Sequence, residues 1–214
     1  MPSRPRVELI CVGTELLDGQ INTHESYLGP RLGALGLQLW RAATIPDDQT
    51  TLAGAMAEAL TRSDAVLVTG GLGPTFDDIT RQAASAALGL TLKYRPALYA
   101  EILKKFARYK SPVPAQNKRQ AFVLQGATVL DNPFGSAPGL LVERPRAGHL
   151  RQMMFLMPGP FQELSPMFER HVLPRLRRRY AAGLHGGHAC VRIAGQSESA
   201  IDQKLSALTR SAKP

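Results

Sequence analysis

Apolar and polar positions along the chain switch repeatedly between two periods. Val7–Gly13 is β-branched and apolar on both faces, which predicts a buried strand. A polar loop, TELLDGQ, follows. Apolar residues then recur near helical spacing over Asn22–Leu35, and Gly36 is placed to stop that helix in a left-handed turn. Leu37–Ile45 reads as the second strand and PDDQ as its loop, before an Ala-rich helix over 50–61. Asp64–Thr69 is the third strand, GGLGPTFDD the third loop and Ile79–Leu88 the third helix. Three strand–loop–helix units in succession predict parallel pairing, right-handed crossovers and helices on both faces of a sheet.

Beyond Gly89 the pattern loosens. A helix is expected over 95–109, with Lys104, Lys105 and Arg108 on a solvated face, and SPVP breaks it before a short helix near 115–121. Ala127–Leu130, Leu140–Glu143 and Met153–Leu156 are candidate strands, and a helix should run from about Phe161 to Arg178. Gly183–Gly187 (GLHGG) reads as a linker. The chain therefore divides into a main unit over 1–182 and a small βα appendage over 183–214, made of VRIAG, a helix over SESAIDQKLSAL and a frayed tail, TRSAKP.

Composition narrows the class. At 44% hydrophobic and 20% charged residues, the chain can bury a core. Twenty-six basic against 17 acidic side chains leave +9, which invites an anionic partner. Cys11 and Cys190 are too few for a disulfide framework or a four-cysteine zinc site, and a reducing cytoplasm fits them. No apolar run approaches the ~20 residues of a membrane span, and the start is too short in apolar residues for a signal peptide.

Ligands of an open parallel α/β sheet bind beyond the carboxyl ends of its strands. Six of the 17 acids fall in the three loops at that rim: Glu15 and Asp18, Asp47 and Asp48, Asp77 and Asp78. The third loop also carries Gly70, Gly71 and Gly73, followed by Thr75, where a strand turns into a helix. Glycines let the backbone approach a ligand, and a helix start offers unpaired amides, so the loop reads as a phosphate seat. It is neither a P-loop nor a GxGxxG fingerprint. Acids beside a phosphate repel it, by ~1 kcal/mol per pair in water-like surroundings. A divalent cation can bridge the two, or the acids can face other ligand groups such as pterin amines or ribose hydroxyls. Bridging would suit phosphoanhydride hydrolysis. Helix capping competes with both: Thr75 with Asp78 and Asn22 with Glu25 have capping-box spacing, and Asp48 can cap the second helix.

Other segments carry weaker signals. Asn132–Gly139 (NPFGSAPG) is a turn-rich loop, and Glu163 lies in a Pro-led helix entry. Asn117, Lys118 and Arg119 could reach a diphosphate or form a solvated basic turn. The basic run Arg175, Arg177, Arg178 and Arg179 ends a helix and complements its dipole, and no aromatic pattern accompanies it that would suggest nucleic-acid binding. His185 and His188 are three apart in the linker and do not make a zinc site.

GTELLDGQINTH at 13–24, PDD at 46–48, TGGLGPTFDDITR at 69–81 and NPFGSAPG at 132–139 together resemble the molybdopterin-binding domain family, and within it the amino-terminal domain of the competence/damage-inducible (CinA) branch. The resemblance covers about residues 7–180, and VRIAGQSESAIDQKL at 191–205 is similar to the start of the small subdomain that follows. It implies a three-layer α/β/α fold, frequent homo-oligomerisation and a site at the strand rim. Relatives in molybdenum-cofactor biosynthesis bind molybdopterin through acids matching Asp47 and Asp78. The CinA branch is described as hydrolysing ADP-ribose to AMP and ribose 5-phosphate with a divalent metal.

Carried over by position, Asp47, Asp77 and Asp78 become catalytic candidates, with Asp47 and Asp78 as metal ligands. Glu15, Asn22, Gly70, Gly71, Gly73, Thr75, Asn132, Gly135 and Ser136 become ligand contacts. Mg²⁺ or another divalent cation is the implied cofactor, with K⁺ a further candidate, and a nucleotide or pterin is the implied ligand. Leu72 stands where cofactor-biosynthesis members usually have Thr, which favours the CinA branch, while Pro158–Glu163 and Ser136 depart from that branch's usual residues. The deamidase domain common in that branch is not expected, because too little chain remains after position 180. A non-catalytic molybdopterin or nucleotide binder is the alternative to a hydrolase.

Overall fold

The computed structural model describes residues 5–108, 112–145, 151–180 and 191–211. Its centre is a six-stranded sheet in the order β2-β1-β3-β8-β7-β6, formed by β1 (Arg6–Val12), β2 (Gln38–Ile45), β3 (Ala65–Thr69), β6 (Thr128–Leu130), β7 (Gly139–Arg144) and β8 (Gln152–Met157). β1 pairs in parallel with β2 and β3, and β3 in parallel with β8. β7 and β6 continue the sheet antiparallel. The three-layer, mainly parallel architecture expected from the sequence is present.

Strand alternation divides the core into two layers. On β1, Ile10 and Val12 pack on one side with Leu52 and Met56 of α3 (Gln49–Arg62), Ala83 and Ala84 of α4 (Thr80–Leu88), and Ile102 of α5 (Pro96–Arg108). Val7, Leu9 and Cys11 pack on the other side. Their neighbours there are Leu28 and Leu32 of α2 (His24–Ala34), Leu164 of α6 (Phe161–Met167) and Leu176 of α7 (Leu173–Tyr180). β3 and β8 alternate in the same way, which is why the three strands read as apolar runs, interrupted in β1 by the buried Glu8. Full burial of a side chain such as Phe155 contributes about 1.5–3 kcal/mol before packing terms.

Four details differ from the sequence reading. The TELLDGQ loop contains a one-turn helix, α1 (Thr14–Leu17). A separate ribbon pairs β4 (Leu92–Tyr94) with β5 (Phe122–Leu124), and neither strand was expected. The helix over 161–178 passes through a π turn at Phe168–Val172, just after Pro166 removes a backbone donor. Residues 191–194 (VRIA) form no strand among the described residues, because an extended segment has no ladder without a partner. The helix beyond it, α8 (Glu198–Ser211), runs into the tail expected to fray. The GLHGG linker, with His185, His188 and Cys190, lies outside the described residues.

Candidate functional site

The carboxyl ends of β1, β2, β3 and β8 share one rim, and a cleft of about 730 Å³ opens there. Chain direction across the sheet diverges at β1, with β2 on one side and β3 on the other. That switch point leaves the crevice uncovered. Glu15, Asn22, Asp47, Asp77 and Asp78 line the cleft, together with Gly70, Gly71, Gly73, Thr75 and Ser136. Asp18 and Asp48 are not among its lining residues.

The glycine loop is shaped by contacts that no side chain would permit. Gly70 has φ +99°, its N–H donates to Met157 O at 3.0 Å, and a Cβ there would stand 2.3 Å from Val12 O. Gly71 has φ +63°, and a Cβ there would stand 2.3 Å from Thr80 Oγ1. Thr80 is fully buried and donates to Gly70 O at 2.8 Å, while its own amide donates to Gly71 O at 3.1 Å. The turn from β3 into α4 is therefore held from within by Thr80.

Asp78 does not cap α4, whose preceding residue, Ile79, makes no side-chain cap. Its carboxylate turns back and accepts from Gly73 N at 2.6 Å, Thr75 N at 2.8 Å and Thr75 Oγ1 at 2.5 Å. The bond from Thr75 N is the carboxylate half of the expected capping box, but the Thr75 hydroxyl donates to Asp78 instead of accepting from its amide, and α4 starts only at Thr80, so the box closes a loop; two amides of the proposed phosphate seat already face a protein carboxylate. Asp47 reaches across to the first loop, where Oδ2 accepts from Thr14 N at 2.8 Å and Thr14 Oγ1 at 3.0 Å. It thereby closes the open start of α1 and joins two rim loops. Asp48 accepts from Thr51 N at 2.7 Å as the N-cap of α3, and these amide and hydroxyl partners hold its carboxyl below the ordinary value. Asp77 is exposed on the cleft and accepts no hydrogen bond from a described residue.

Asn22 accepts from His24 N at 3.0 Å through Oδ1, and its Nδ2 is buried without a hydrogen-bond partner among the described residues. This is a local turn at the start of α2, and Thr23 is the cap position. Asn132 and Gly135 do not line the cleft. Asn132 is fully buried, donates through Nδ2 to Ala137 O at 2.8 Å and Glu163 Oε2 at 2.6 Å, and accepts through Oδ1 from Phe134 N and Gly135 N. A Cβ on Gly135 would collide with the Glu163 carboxylate. Both residues shape the loop that presents Ser136 to the cleft. Lys105 is also not simply solvated: Nζ donates to Asn132 O at 2.5 Å and Gly135 O at 3.2 Å, holding the same loop from outside. Arg119 donates to Thr75 O at 2.6 Å and so braces the glycine loop.

Two side chains matter here that the residue patterns did not single out, His24 and Arg81, and a third, Glu163, was read only as part of a Pro-led helix entry. His24 lines the cleft with Nδ1 2.9 Å from Thr69 Oγ1 and Nε2 2.9 Å from Gly159 O. A carbonyl can only accept, so Nε2 carries the proton and Nδ1 accepts from Thr69; burial lowers its pKa and favours this neutral form. Glu163, at the start of α6, ties the 132–137 loop to the cleft wall. Arg81 is 4% exposed and donates to Leu72 O at 2.8 and 2.9 Å and Gly73 O at 3.1 Å. The signal for Arg81 was a cation sharing a helical face with buried Ala84 and half-buried Leu88. Among the described residues, no group of three or more His, Cys, Asp or Glu side chains is arranged to hold a metal ion.

A three-layer α/β/α sheet with an acid- and glycine-lined crevice at its switch point places the chain in the class of open, mainly parallel α/β folds with a rim cleft. The family described as "Probable molybdopterin binding domain" matches residues 8–178, and the chain belongs to that family. It is 40% identical over 202 residues to a protein of Caldicellulosiruptor saccharolyticus named competence-damage inducible protein, covering 94% of this chain and 47% of that one. It is 39% identical over 203 residues to a CinA-like protein of Koribacter versatilis, covering 92% and 48%. The chain thus spans about half the length of these relatives. Among solved structures, CinA of Thermoplasma acidophilum aligns with TM-score 0.68 at 30% identity, covering 77% of this chain and 94% of that one. A molybdopterin biosynthesis protein of Mycobacterium abscessus aligns with TM-score 0.51 at 13% identity, covering 96% and 98%, a likeness of fold.

Proposed function

We propose that the rim cleft binds a phosphorylated nucleotide or pterin and that the protein hydrolyses a nucleotide diphosphate, ADP-ribose to AMP and ribose 5-phosphate being the first reaction to try. The observation that carries this reading is the convergence of the glycine loop with acids from three strand ends in one cleft of ligand size. The choice of ADP-ribose rests on the resemblance of the rim motifs to the CinA branch. In this reading Gly70, Gly71 and Gly73 admit the phosphates, and Glu15, Asn22 and Thr75 orient the ligand. Asp77 holds the attacking water.

The donor set fits a hard cation. Mg²⁺ takes one or two carboxylates beside phosphate and water, so a cage of three protein ligands is not required. Asp77 is free to serve, and Asp47 keeps Oδ1 available because both bonds from Thr14 fall on Oδ2. Asp78, with both oxygens engaged by the loop, is a poorer ligand than the residue pattern implied. When bound, Mg²⁺ would offset the repulsion between acids and phosphate and stabilise charge on the leaving phosphate. K⁺ is the second cation to titrate.

A non-catalytic binder is the other reading, favoured by the same engagement of Asp47 and Asp78 in loop-holding bonds. Homo-oligomerisation and a cytoplasmic location are part of the proposal. Exposed Ile21, which lines the cleft, and Phe76, between the lining residues Thr75 and Asp77, are 84% and 87% accessible and support a partner surface there. No described helix is long and apolar enough to cross a membrane.

Chromatographic detection of AMP from ADP-ribose with Mg²⁺ tests the first reading. Asp77→Asn should lower the rate at least tenfold, about 1.4 kcal/mol in barrier, with an unchanged melting temperature. Calorimetric binding of a nucleotide or pterin without turnover in the wild type would favour the binder. Neither binding nor turnover would sink both readings.

A further inference from the structure

Arg81 is a buried cation with no carboxylate at ion-pair distance among the described residues. Its guanidinium instead meets three carbonyl contacts, two of them to Leu72 O. The peptide joining Leu72 to Gly73 is trans, so its carbonyl and its N–H point in opposite directions. The carbonyl points at Arg81, and the N–H donates to Asp78 Oδ1 at 2.6 Å. One peptide plane is therefore clamped between a cation and an anion that never touch. Gly73 permits this, because a Cβ there would lie 2.4 Å from Asp78 Oδ2.

We propose that Arg81 is a positioning residue: from the buried side it sets the Leu72–Gly73 peptide, and through that peptide it holds Asp78 and the glycine loop in the form that receives an anion. The anion half of this proposal rests on the cleft reading above, whereas the positioning half does not. A planar fork suits the task, since two parallel donors to one carbonyl fix its direction as a single ammonium cannot. Burial lowers the Arg81 pKa to about 10, so the group keeps its charge at neutral pH. The cleft thus has carboxylates among its lining residues and a buried cation behind its glycine loop, whose charge partly offsets their repulsion of an anion.

Amide spectra of the whole chain, with pyrophosphate titrated by calorimetry, test this. In Arg81→Lys and Arg81→Gln the amide protons of Gly73 and Thr75 should move upfield as their bonds to Asp78 loosen, while the Thr51 amide bonded to Asp48 stays in place. Pyrophosphate affinity should fall about tenfold in Arg81→Lys. If Arg81→Gln does not fold, Arg81→Lys decides. Unmoved Gly73 and Thr75 amides in a folded Arg81→Lys would overturn the positioning role. Amides that move without loss of pyrophosphate affinity would overturn the anion-receiving half. A wild type that ignores pyrophosphate would refute the cleft reading and leave the amides to decide on Arg81.

Discussion

At the amino end of the parallel strands, Glu8 is 2% exposed and surrounded by partners: Arg62 donates through Nε at 3.0 Å and Nη2 at 2.7 Å, and Ser63 Oγ adds a third bond at 3.0 Å. At the carboxyl end, Arg81 is also buried and, among the described residues, hydrogen-bonds only to carbonyls, while Asp77 accepts no hydrogen bond from a described residue. A charge placed for architecture alone is neutralised within the fold, since desolvating it unpaired is costly. A charge left short of its counter-ion at the rim keeps an attraction that a ligand can satisfy. The contrast teaches where to look: the imbalance lies at the switch point of the sheet.

Breaking the balanced end should have the largest effect. Arg62→Ala leaves the buried Glu8 carboxylate with one hydroxyl donor and the half-exposed Arg41 at 4.0 Å, and should destabilise the fold by about 3 kcal/mol in urea titration. At the rim, Asp78→Ala removes three loop bonds but leaves its partners nearer to water. A loss of about 2 kcal/mol is expected, with weaker pyrophosphate binding. An Asp78→Ala loss as large as that of Arg62→Ala would mean that the rim is built as the other end is.

Two pH dependences sharpen the comparison further. Burial depresses the His24 pKa below 6.5, so its contribution to stability is complete above 6.5 and is lost as pH falls through the lower folded-state value. Urea midpoints should therefore rise from pH 5 to 7.5 in the wild type and flatten in His24→Gln. Asp48 carries the smallest effect. Its carboxyl is held below the ordinary 3.8 by the Thr51 cap, so the stability it adds is present above 3.8 and lost as pH falls through the folded-state value. Asp48→Asn should make the acid limb of the unfolding curve slightly shallower and leave ligand binding unchanged.

Legibility followed sequence distance. The strands β1, β3 and β8 were readable because burial on both faces writes an apolar run, and Gly36 was readable as a helix stop, with φ +75°. The three-residue strands β4 and β5 were not, because each exists only through a partner about 30 positions away. The α1 turn was hidden for the same reason, since the carboxylate closing its start comes from Asp47, 33 positions on. Of the tandem acids, Asp48 matched its capping alternative, whereas Asp78 makes only the carboxylate half of its capping box, at Thr75 N, and adds a bond from Gly73 N. Spacing alone could not distinguish the two, because both residues stand near the first turn of a helix.

The amino-acid sequence by itself determined the layered architecture and the set of acids and glycines delivered to one rim, because period, punctuation and residue type act locally and reach no further than a turn or a strand. Which of those acids would be engaged and which left open was decided only in the tertiary structure. There, Asp47 meets Thr14, Asn132 meets Glu163, and the Leu72–Gly73 peptide lies between Arg81 and Asp78. A hydrogen bond acts over about 3 Å, and only the folded chain brings those partners within it.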